Sequence, residues 1–491
     1  MKKFNIKRTH LSIVLSSILL FTNCDDFLNI VPRDKVSSDI VFTSYHSATS
    51  VLGGVYDHMT YSAEGFMVVA QSLGIHNFIL AGDMMGQDII PKNYSSQWHG
   101  DDYNFSTRTM EKDRPAFFWF YCYGHINVLN DLLSNISKMQ GAKAERVEVE
   151  AEARTLRAFH YLLLAQWFQQ TYLINPKAPG VPLYFEPSIT SKERSSLEDV
   201  YNAIIEDLKW VLEHAPKERR NKSKYTAGLD VARGLLVRSY MEVGQYKEAK
   251  TIAHGLVGEY PLMDENEYIK GFNDVSISEC IWGLPCSSKN TNANYSLPTV
   301  WSHPRKNNRW SQRFIFLNND FVSLFEENDI RKTLIKENPK ATDFVKYPER
   351  KYVSYKIMDP DDSKKLPDVL LMRSSEMLLI EAECAARLQN DTEAQELLFL
   401  LQKKRNPATV KSIATGTNLL DEILLERRKE LYGEGFALLD IKRFRKPLVR
   451  SGLHTVKGRG KDNILYEADS NMFTLQIPEG EIQTNKIEQN P

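Results

Sequence analysis

The chain has 491 residues, of which 62 are Lys or Arg and 63 are Asp or Glu, so its formal net charge at pH 7 is −1. This balance supplies no bulk positive charge for a nucleic acid or an anionic bilayer face, and we predict neither kind of binding. Hydrophobic residues make up 42% and aromatic residues 11% of the chain, which predicts a globular protein with aromatic side chains available for a binding surface.

The N-terminal residues 1–23 are typical of a lipoprotein signal peptide. Four basic residues within the first eight precede an apolar run, residues 11–21, which is too short for a bilayer that needs about 20 residues. Cys24 follows, and no Ala-x-Ala cleavage pattern competes with it. We expect cleavage before Cys24 and lipid attachment there, which anchors the chain without a transmembrane helix. The alternative is a secreted protein that is cut nearby.

Helical periodicity dominates the remaining chain. Apolar side chains recur every three to five positions in residues 148–169, which predicts a long amphipathic helix paired with residues 197–212. Residues 231–261 and 374–407 show the spacing of a tetratricopeptide helix-turn-helix, in which Gly permits the turn and Ala lets two helices approach.

The predicted fold class is therefore mainly α. We expect a single domain, residues 24–491, with a tetratricopeptide-like helical hairpin scaffold, long irregular ligand-binding loops and a few short strands.

Two stretches between the hairpins, residues 82–115 and 271–313, have little periodicity and much Gly, Pro, Asn and aromatic content. Loops of this length are unusual in a compact domain unless they carry a function. They hold four of the seven tryptophans, namely Trp98, Trp282, Trp301 and Trp310. Aromatic side chains on loops carried by a rigid scaffold are typical of a recognition surface.

Motifs for catalysis and metal binding are missing from the sequence. The eleven histidines form no HExxH or other metal-ligand spacing, and there is no GxSxG elbow, Walker loop or dinucleotide-binding glycine loop. We predict no enzyme activity, no cofactor and no metal, although a calcium site stays open at four acidic residues, Asp83, Asp88, Asp101 and Asp102.

The cysteines beyond Cys24 lack the spacing of a disulfide framework. Cys280 and Cys286 are near enough in sequence to pair in an oxidising compartment. We nevertheless expect ordinary buried thiols there and at Cys122 and Cys384.

The end of the chain carries two distinctive segments, ERRKELYGEGFALLDIKRF at residues 426–444 and LQIPEGEIQTNKIEQNP at residues 475–491. Upstream segments include DDFLNIVPRD, LGGVYDHM, RAFHYLLLAQWF followed by GVPL, ECIW, NDIRKTLI and RSSEMLLIEAECAARL. This ordered set resembles the SusD-like (RagB/SusD) family of outer-membrane lipoproteins over essentially the whole mature chain. Ala437 departs from the family pattern, where an arginine is common.

Three glutamates in the first of these segments lie one helical turn apart and project on one side: Glu426, Glu430 and Glu434. Their expected partners are nearby arginines, Arg427, Arg443 and Arg445. A pair of carboxylates also serves glycosidases as acid and base. We prefer a charged network that ties the last helices to the body, because no cleft-forming feature accompanies these residues.

The resemblance implies a binding function. Members of the family are acylated at an N-terminal cysteine, exposed at the cell surface, and seated on a TonB-dependent (SusC-like) outer-membrane transporter to which they deliver captured oligosaccharides. A sugar ring has an apolar face and a rim of hydroxyls, so its binder needs flat aromatic rings and planar or charged hydrogen-bonding groups. The predicted ligand-binding residues are Asp83, Gln87, Trp98, Tyr295, Trp301, Arg309 and Trp310, with Asn294 beside them.

Alternatives stay open at this point. The alternative for each loop aromatic is a packing role, in which the ring holds its loop onto the scaffold. The family also includes oligopeptide-uptake proteins, whose ligands suit Asn and Arg among aromatic rings. Two further alternatives are a surface glycosidase and a protein that only gates its transporter without binding a nutrient.

Overall fold

The computed structural model describes residues 43–61, 72–91, 100–286, 297–301, 315–337, 351–357, 367–455 and 464–491. The architecture is mainly helical with a few short strands, which confirms the predicted fold class. The predicted signal peptide and Cys24 lie outside the described residues.

Helices make up most of the described chain. In order they are α1 (Tyr45–Met59), α2 (Gly74–Met84), α3 (Gly100–Tyr103), α4 (Asp113–Asn135), α5 (Lys143–Phe168), α6 (Leu197–His214), α7 (Leu229–Val243), α8 (Tyr246–Glu259), α9 (Glu265–Tyr268), α10 (Leu297–Trp301), α11 (Asn319–Val322), α12 (Ser374–Arg387), α13 (Asp391–Arg405), α14 (Gly416–Leu431), α15 (Ala437–Arg443) and α16 (Glu479–Asn485).

The predicted hairpins are present as the pairs α5 and α6, α7 and α8, and α12 and α13, and neighbouring pairs pack side by side. Gly244 ends α7 in the left-handed region at φ 77°, where its N–H donates to the carbonyl of Tyr240. Only glycine adopts this conformation without strain, so the chain turns directly into α8. Ala249 and Ala253 are fully buried on α8, and their small side chains allow the close helix packing that the spacing predicted.

The strands are short and pair antiparallel. They are β1 (Ile89–Pro91), β2 (Cys280–Leu284), β3 (Ile315–Leu317), β4 (Ile335–Glu337), β5 (Tyr352–Ser354), β6 (Val369–Arg373), β7 (Leu448–Arg450) and β8 (Ile464–Tyr466). In the described part of the chain, one sheet has the order β1-β3-β5-β4, β2 pairs with β6, and β7 pairs with β8.

The two predicted loop regions contain more regular structure than expected. The region 82–115 begins inside α2, ends inside α4, and holds β1 and α3; the region 271–313 holds β2 and α10. These elements are three to five residues long, which is too short for a hydrophobic period to be detected. Trp282, on β2, is fully buried and packs edge-on against Phe159 at 5.0 Å between ring centroids.

Cys122, Cys280, Cys286 and Cys384 are buried thiols without a disulfide bond, which confirms the prediction of ordinary thiols. In the part of the chain that the structure describes, no helix has the length and apolar character needed to cross a membrane.

Candidate functional site

Three of the predicted ligand-binding residues lie in adjacent elements: Asp83 on α2, Gln87 just before β1, and Trp301 at the end of α10. The other four, Trp98, Tyr295, Arg309 and Trp310, lie outside the described residues, as does Asn294. Their contacts with a ligand stay predictions, and the structure shows only where the segments that carry them are attached.

These attachment points lie close together on four elements, α2, β1, α10 and β3. We call these four elements the loop platform. Pro91 precedes the segment 92–99 and pairs across the sheet with Ile315, which follows the segment 302–314. The segment 287–296 ends at α10, which packs on α2, and the segment 302–314 begins there. The fold therefore attaches the segments carrying Trp98, Tyr295, Arg309 and Trp310 to one surface.

His76 on α2 joins both ends of the segment that carries Tyr295. Its Nδ1 accepts a hydrogen bond from the main-chain N–H of Leu297 at 3.2 Å, and its Nε2 lies 3.7 Å from the Cys286 Sγ. Burial lowers the pKa of His76 to about 3, so the ring is neutral at pH 7 and its Nδ1 is free to accept. Sequence reasoning missed His76, because its partners are 210 and 221 residues away and no local motif marks it.

Asp83 is buried, with 3% of its surface exposed, and faces residues 426–444, which we call the C-terminal signature, rather than solvent. Its carboxylate accepts a hydrogen bond from the N–H of Gly435 at 3.0 Å. The backbones approach closely here: a Cβ on Gly82 would lie 2.4 Å from the Gly435 carbonyl oxygen. Gly435 itself has φ 87°, which favours glycine. Asp83 thus fastens the loop platform to the C-terminal signature, and a contact with ligand stays a prediction.

Replacing Asp83 by asparagine is expected to stabilise the protein at pH 8 by roughly 2–4 kcal/mol. Burial raises the pKa of Asp83 to about 7, above its value in the unfolded chain. A raised pKa stabilises the fold at low pH, and that contribution is lost as the pH rises through about 7. Asparagine keeps an acceptor for Gly435 and never ionises.

Thermal unfolding of both proteins between pH 4 and pH 8 tests this prediction. We expect the midpoint of Asp83→Asn to exceed that of the wild type at pH 8 and the gap to close toward pH 4. An equal gap at every pH would show that ionisation of Asp83 is not the cause.

Gln87 is anchored through its main chain. Its carbonyl accepts a hydrogen bond from His454 Nε2 at 2.8 Å, and the other ring nitrogen, Nδ1, accepts from the Tyr103 hydroxyl at 2.8 Å. Burial lowers the pKa of His454 to about 4, which keeps the ring neutral and fixes these roles. The half-buried Gln87 side chain therefore sits on a fixed backbone beside β1.

Trp301 has the packing role that was named as the alternative for every loop aromatic. Only 3% of its surface is exposed. Its ring packs edge-on against Tyr432 at 6.2 Å between ring centroids and lies beside Gly433, where a Cβ would be in ordinary van der Waals contact with the indole Cζ2 at 3.5 Å. Trp301 thus holds α10 against the C-terminal signature, and its contact with a sugar stays a prediction.

Two of the four acidic residues considered for calcium are engaged with cations of the protein itself. Asp88 pairs with Arg428 at 2.5 Å, and Asp102 pairs with Arg114 at 2.6 Å. Within the described ranges, no group of three or more His, Cys, Asp and Glu side chains has an arrangement that could hold a metal ion.

Glu430 lies at the centre of a buried ionic network that we call the arginine cluster, formed by Glu430 with Arg331, Arg373 and Arg405. Its carboxylate accepts hydrogen bonds from Arg373 at 2.7 Å, Arg405 at 3.0 Å and Arg331 at 3.1 Å. Burial by itself would raise the pKa of Glu430, but the three guanidinium groups hold it well below its usual range. The carboxylate is therefore ionised throughout the physiological range.

The predicted charged network exists, but the predicted partners were wrong. Arg427, Arg443 and Arg445 pair with other carboxylates, respectively Asp440, Glu383 and Asp469. Glu430 instead receives its cations from β6, α13 and the turn Ile330–Leu334, which are 25 to 99 residues away. Local helical spacing cannot identify such partners, because tertiary packing brings them together.

This arrangement opposes a catalytic role for Glu430. A glycosidase acid has a raised pKa and reaches its substrate, whereas Glu430 is fully buried and its pKa is lowered. Glu434 is half-buried, and Lys356 at 2.6 Å and Arg373 at 2.8 Å likewise offset the effect of burial and lower its pKa. The two carboxylates link the last helices to the body.

Comparison with known proteins gives consistent matches along the chain. The family model described as the SusD family matches residues 221–491, and a model described as "Starch-binding associating with outer membrane" matches residues 26–241. The chain is similar to a SusD-like protein of Formosa agariphila, with 22% identity over 525 residues, 95% of this chain and 96% of the relative.

Solved structures show the same fold. A SusD-like carbohydrate binding protein from Bacteroides vulgatus is 28% identical, with a TM-score of 0.79 over 91% of this chain and 97% of its own. Surface glycan-binding protein A from Bacteroides thetaiotaomicron, solved with laminarihexaose, is 18% identical, with a TM-score of 0.69 over 91% of this chain and 100% of its own.

Proposed function

The chain belongs to the SusD family, and we propose that it is a cell-surface lipoprotein that captures oligosaccharides and delivers them to a TonB-dependent (SusC-like) outer-membrane transporter. The relative that is 28% identical is a carbohydrate binding protein, and the model that matches the N-terminal half describes starch binding and association with the outer membrane. In this proposal Cys24 carries the lipid anchor.

The observation that carries the proposal is the loop platform. The segments predicted to bear the stacking rings and the polar rim are attached to neighbouring elements, with Pro91 opposite Ile315 and both ends of the segment 287–296 on His76. A buried platform limits the ordering cost when its loops bind a ligand. Three-dimensional proximity of these attachment points is what a single extended binding surface requires.

Affinity electrophoresis of the purified full chain tests the proposal. The gels contain starch, laminarin, xylan, mannan or pectin, and a protein digest is added in solution as a competitor. We expect one glycan class to retard the protein saturably. Retention by no glycan, combined with binding to peptides, would assign the protein to oligopeptide uptake. Steady release of reducing ends from the bound glycan would identify a glycosidase.

Replacing Cys24 by serine is expected to release the protein from membranes that lack the proposed transporter, because several acyl chains supply about 0.8 kcal/mol for each buried CH₂ and the transporter is the other proposed membrane contact. Membrane pelleting and metabolic labelling with palmitate measure the effect. Cys122→Ser is the matched control, since that thiol is buried inside α4. Full membrane retention of Cys24→Ser would refute the lipid anchor.

A further inference from the structure

A cleft of about 200 Å³ lies outside the loop platform, between α4, the segment 182–191 and the C-terminal helix α16. Phe120, Tyr123 and Tyr184 line it together with the polar residues Asn127 and Glu481. None of these residues belongs to the loop platform.

One wall of the cleft is held rigidly by hydrogen bonds. The main chain of Tyr184 donates its N–H to the Tyr161 hydroxyl at 2.7 Å, and its carbonyl accepts from that hydroxyl at 2.9 Å and from the Asn130 amide at 2.8 Å. The Tyr123 hydroxyl donates to the carbonyl of Pro182 at 2.7 Å. The Tyr123 ring and the backbone of Tyr184 are therefore in place before any ligand arrives, which reduces the cost of binding.

The cleft combines an exposed aromatic surface with unused polar groups. Phe120 is 48% exposed although it is a large apolar residue on a long helix. Among the described residues, the side chains of Asn127 and Ser191 have no hydrogen-bond partner. Glu481 accepts from Asn485 through one carboxylate oxygen, Oε2. Flat rings beside amide, hydroxyl and carboxylate groups match the apolar face and the hydroxyl rim of a sugar ring.

The size of the cleft selects the ligand. Its volume of about 200 Å³ is below the roughly 300–1,000 Å³ of sites that enclose drug-sized molecules. A single sugar ring fits this space.

We propose that this cleft is a second carbohydrate subsite, separate from the loop platform, which binds one sugar ring against Phe120 and Tyr184 with Asn127 at the rim. The choice of a sugar as ligand rests on the proposed function. A glycan chain that occupies both sites would be retained more strongly than by either site alone.

Saturation-transfer NMR on the full chain tests the proposal, with millimolar methyl glycosides of glucose, galactose, mannose and xylose as probes. All measurements use the Trp98→Ala/Trp310→Ala background, so that the predicted loop site does not contribute. We expect saturable transfer to at least one glycoside. Phe120→Ala and Asn127→Ala should each raise its Kd about tenfold.

Val128→Ala is the matched control, because Val128 is 40% exposed on the same helix but does not line the cleft. It should leave the Kd unchanged. The thermal midpoint of every variant is measured first, and Asn127→Ala replaces Phe120→Ala if the latter is unstable. Both residues have large exposed fractions, so neither change should unfold α4.

The outcomes separate this proposal from the proposed function. No saturable transfer to any glycoside, or equal Kd values for the background and Phe120→Ala, overturns the subsite even if the loops bind glycan. Transfer that depends on Phe120 supports the subsite even if affinity electrophoresis fails. Loss of a co-purifying outer-membrane protein in Phe120→Ala, without any sugar binding, overturns the subsite and identifies a protein-docking surface.

Discussion

Replacing Glu430 by glutamine is expected to lower the free energy of unfolding by about 3–5 kcal/mol, the cost of breaking a buried ion pair. The neutral amide leaves Arg331, Arg373 and Arg405 close together with less negative charge between them. Arg373 and Arg405 keep their ion pairs with Glu279, at 2.8 Å and 2.5 Å respectively, so the cluster weakens without losing every partner. Urea unfolding followed by circular dichroism measures the change.

Glu422→Gln is the control for this substitution, because Glu422 lies on the same helix, half-buried, without an ion pair among the described residues. It should change the stability by less than about 0.5 kcal/mol. The effect of Glu430→Gln should also depend on pH. A lowered pKa stabilises the fold at neutral pH, and this contribution is lost as the pH falls below the usual glutamate range. The two proteins should therefore converge in acid.

A normal stability for Glu430→Gln, together with lost glycan binding, would contradict the structural role of the arginine cluster. It would instead place Glu430 in the ligand site, despite its complete burial.

Replacing both Trp98 and Trp310 by alanine is expected to weaken glycan binding about a hundredfold, because each stacked ring contributes roughly 1.5 kcal/mol. The thermal midpoint should stay within a few degrees of the wild type if these rings stack on ligand rather than on the scaffold. Intrinsic fluorescence is unsuitable here, since the reporter is removed, so calorimetry measures the affinity.

Trp210→Ala is the matched control for the loss of a tryptophan. Trp210 lies on α6, where it stacks on His214 at 4.5 Å and receives the guanidinium of Arg154 at 4.6 Å. Its removal should cost stability and leave the affinity unchanged. If the double variant bound glycan as tightly as the wild type, the two loop tryptophans would not form the site.

The scaffold was predictable because its signal is local. Regular apolar spacing around Leu156 and the Gly244 turn between α7 and α8 specify helices from their own sequence. The cations around Glu430 were not predictable, because electrostatic partners are selected by tertiary packing and the nearest arginines in sequence point elsewhere.

The position of the loop platform was predictable only in outline. Asp83, Gln87 and Trp301 were predicted to bind ligand; the structure places their elements next to each other, and the contact with ligand stays a prediction. Sequence reasoning did not distinguish a tryptophan that packs from one that stacks on ligand, since both occur in aromatic loops. It also could not identify His76, whose role depends on a contact between distant segments.

Calorimetric titration of the full chain with an oligosaccharide of the glycan class retained in electrophoresis tests the central claim most directly. The account predicts saturable heat from wild-type protein, and a strongly reduced affinity in Trp98→Ala/Trp310→Ala at an unchanged thermal midpoint. Absence of heat with every glycan of the panel, whether or not peptides bind, would contradict oligosaccharide capture by this protein.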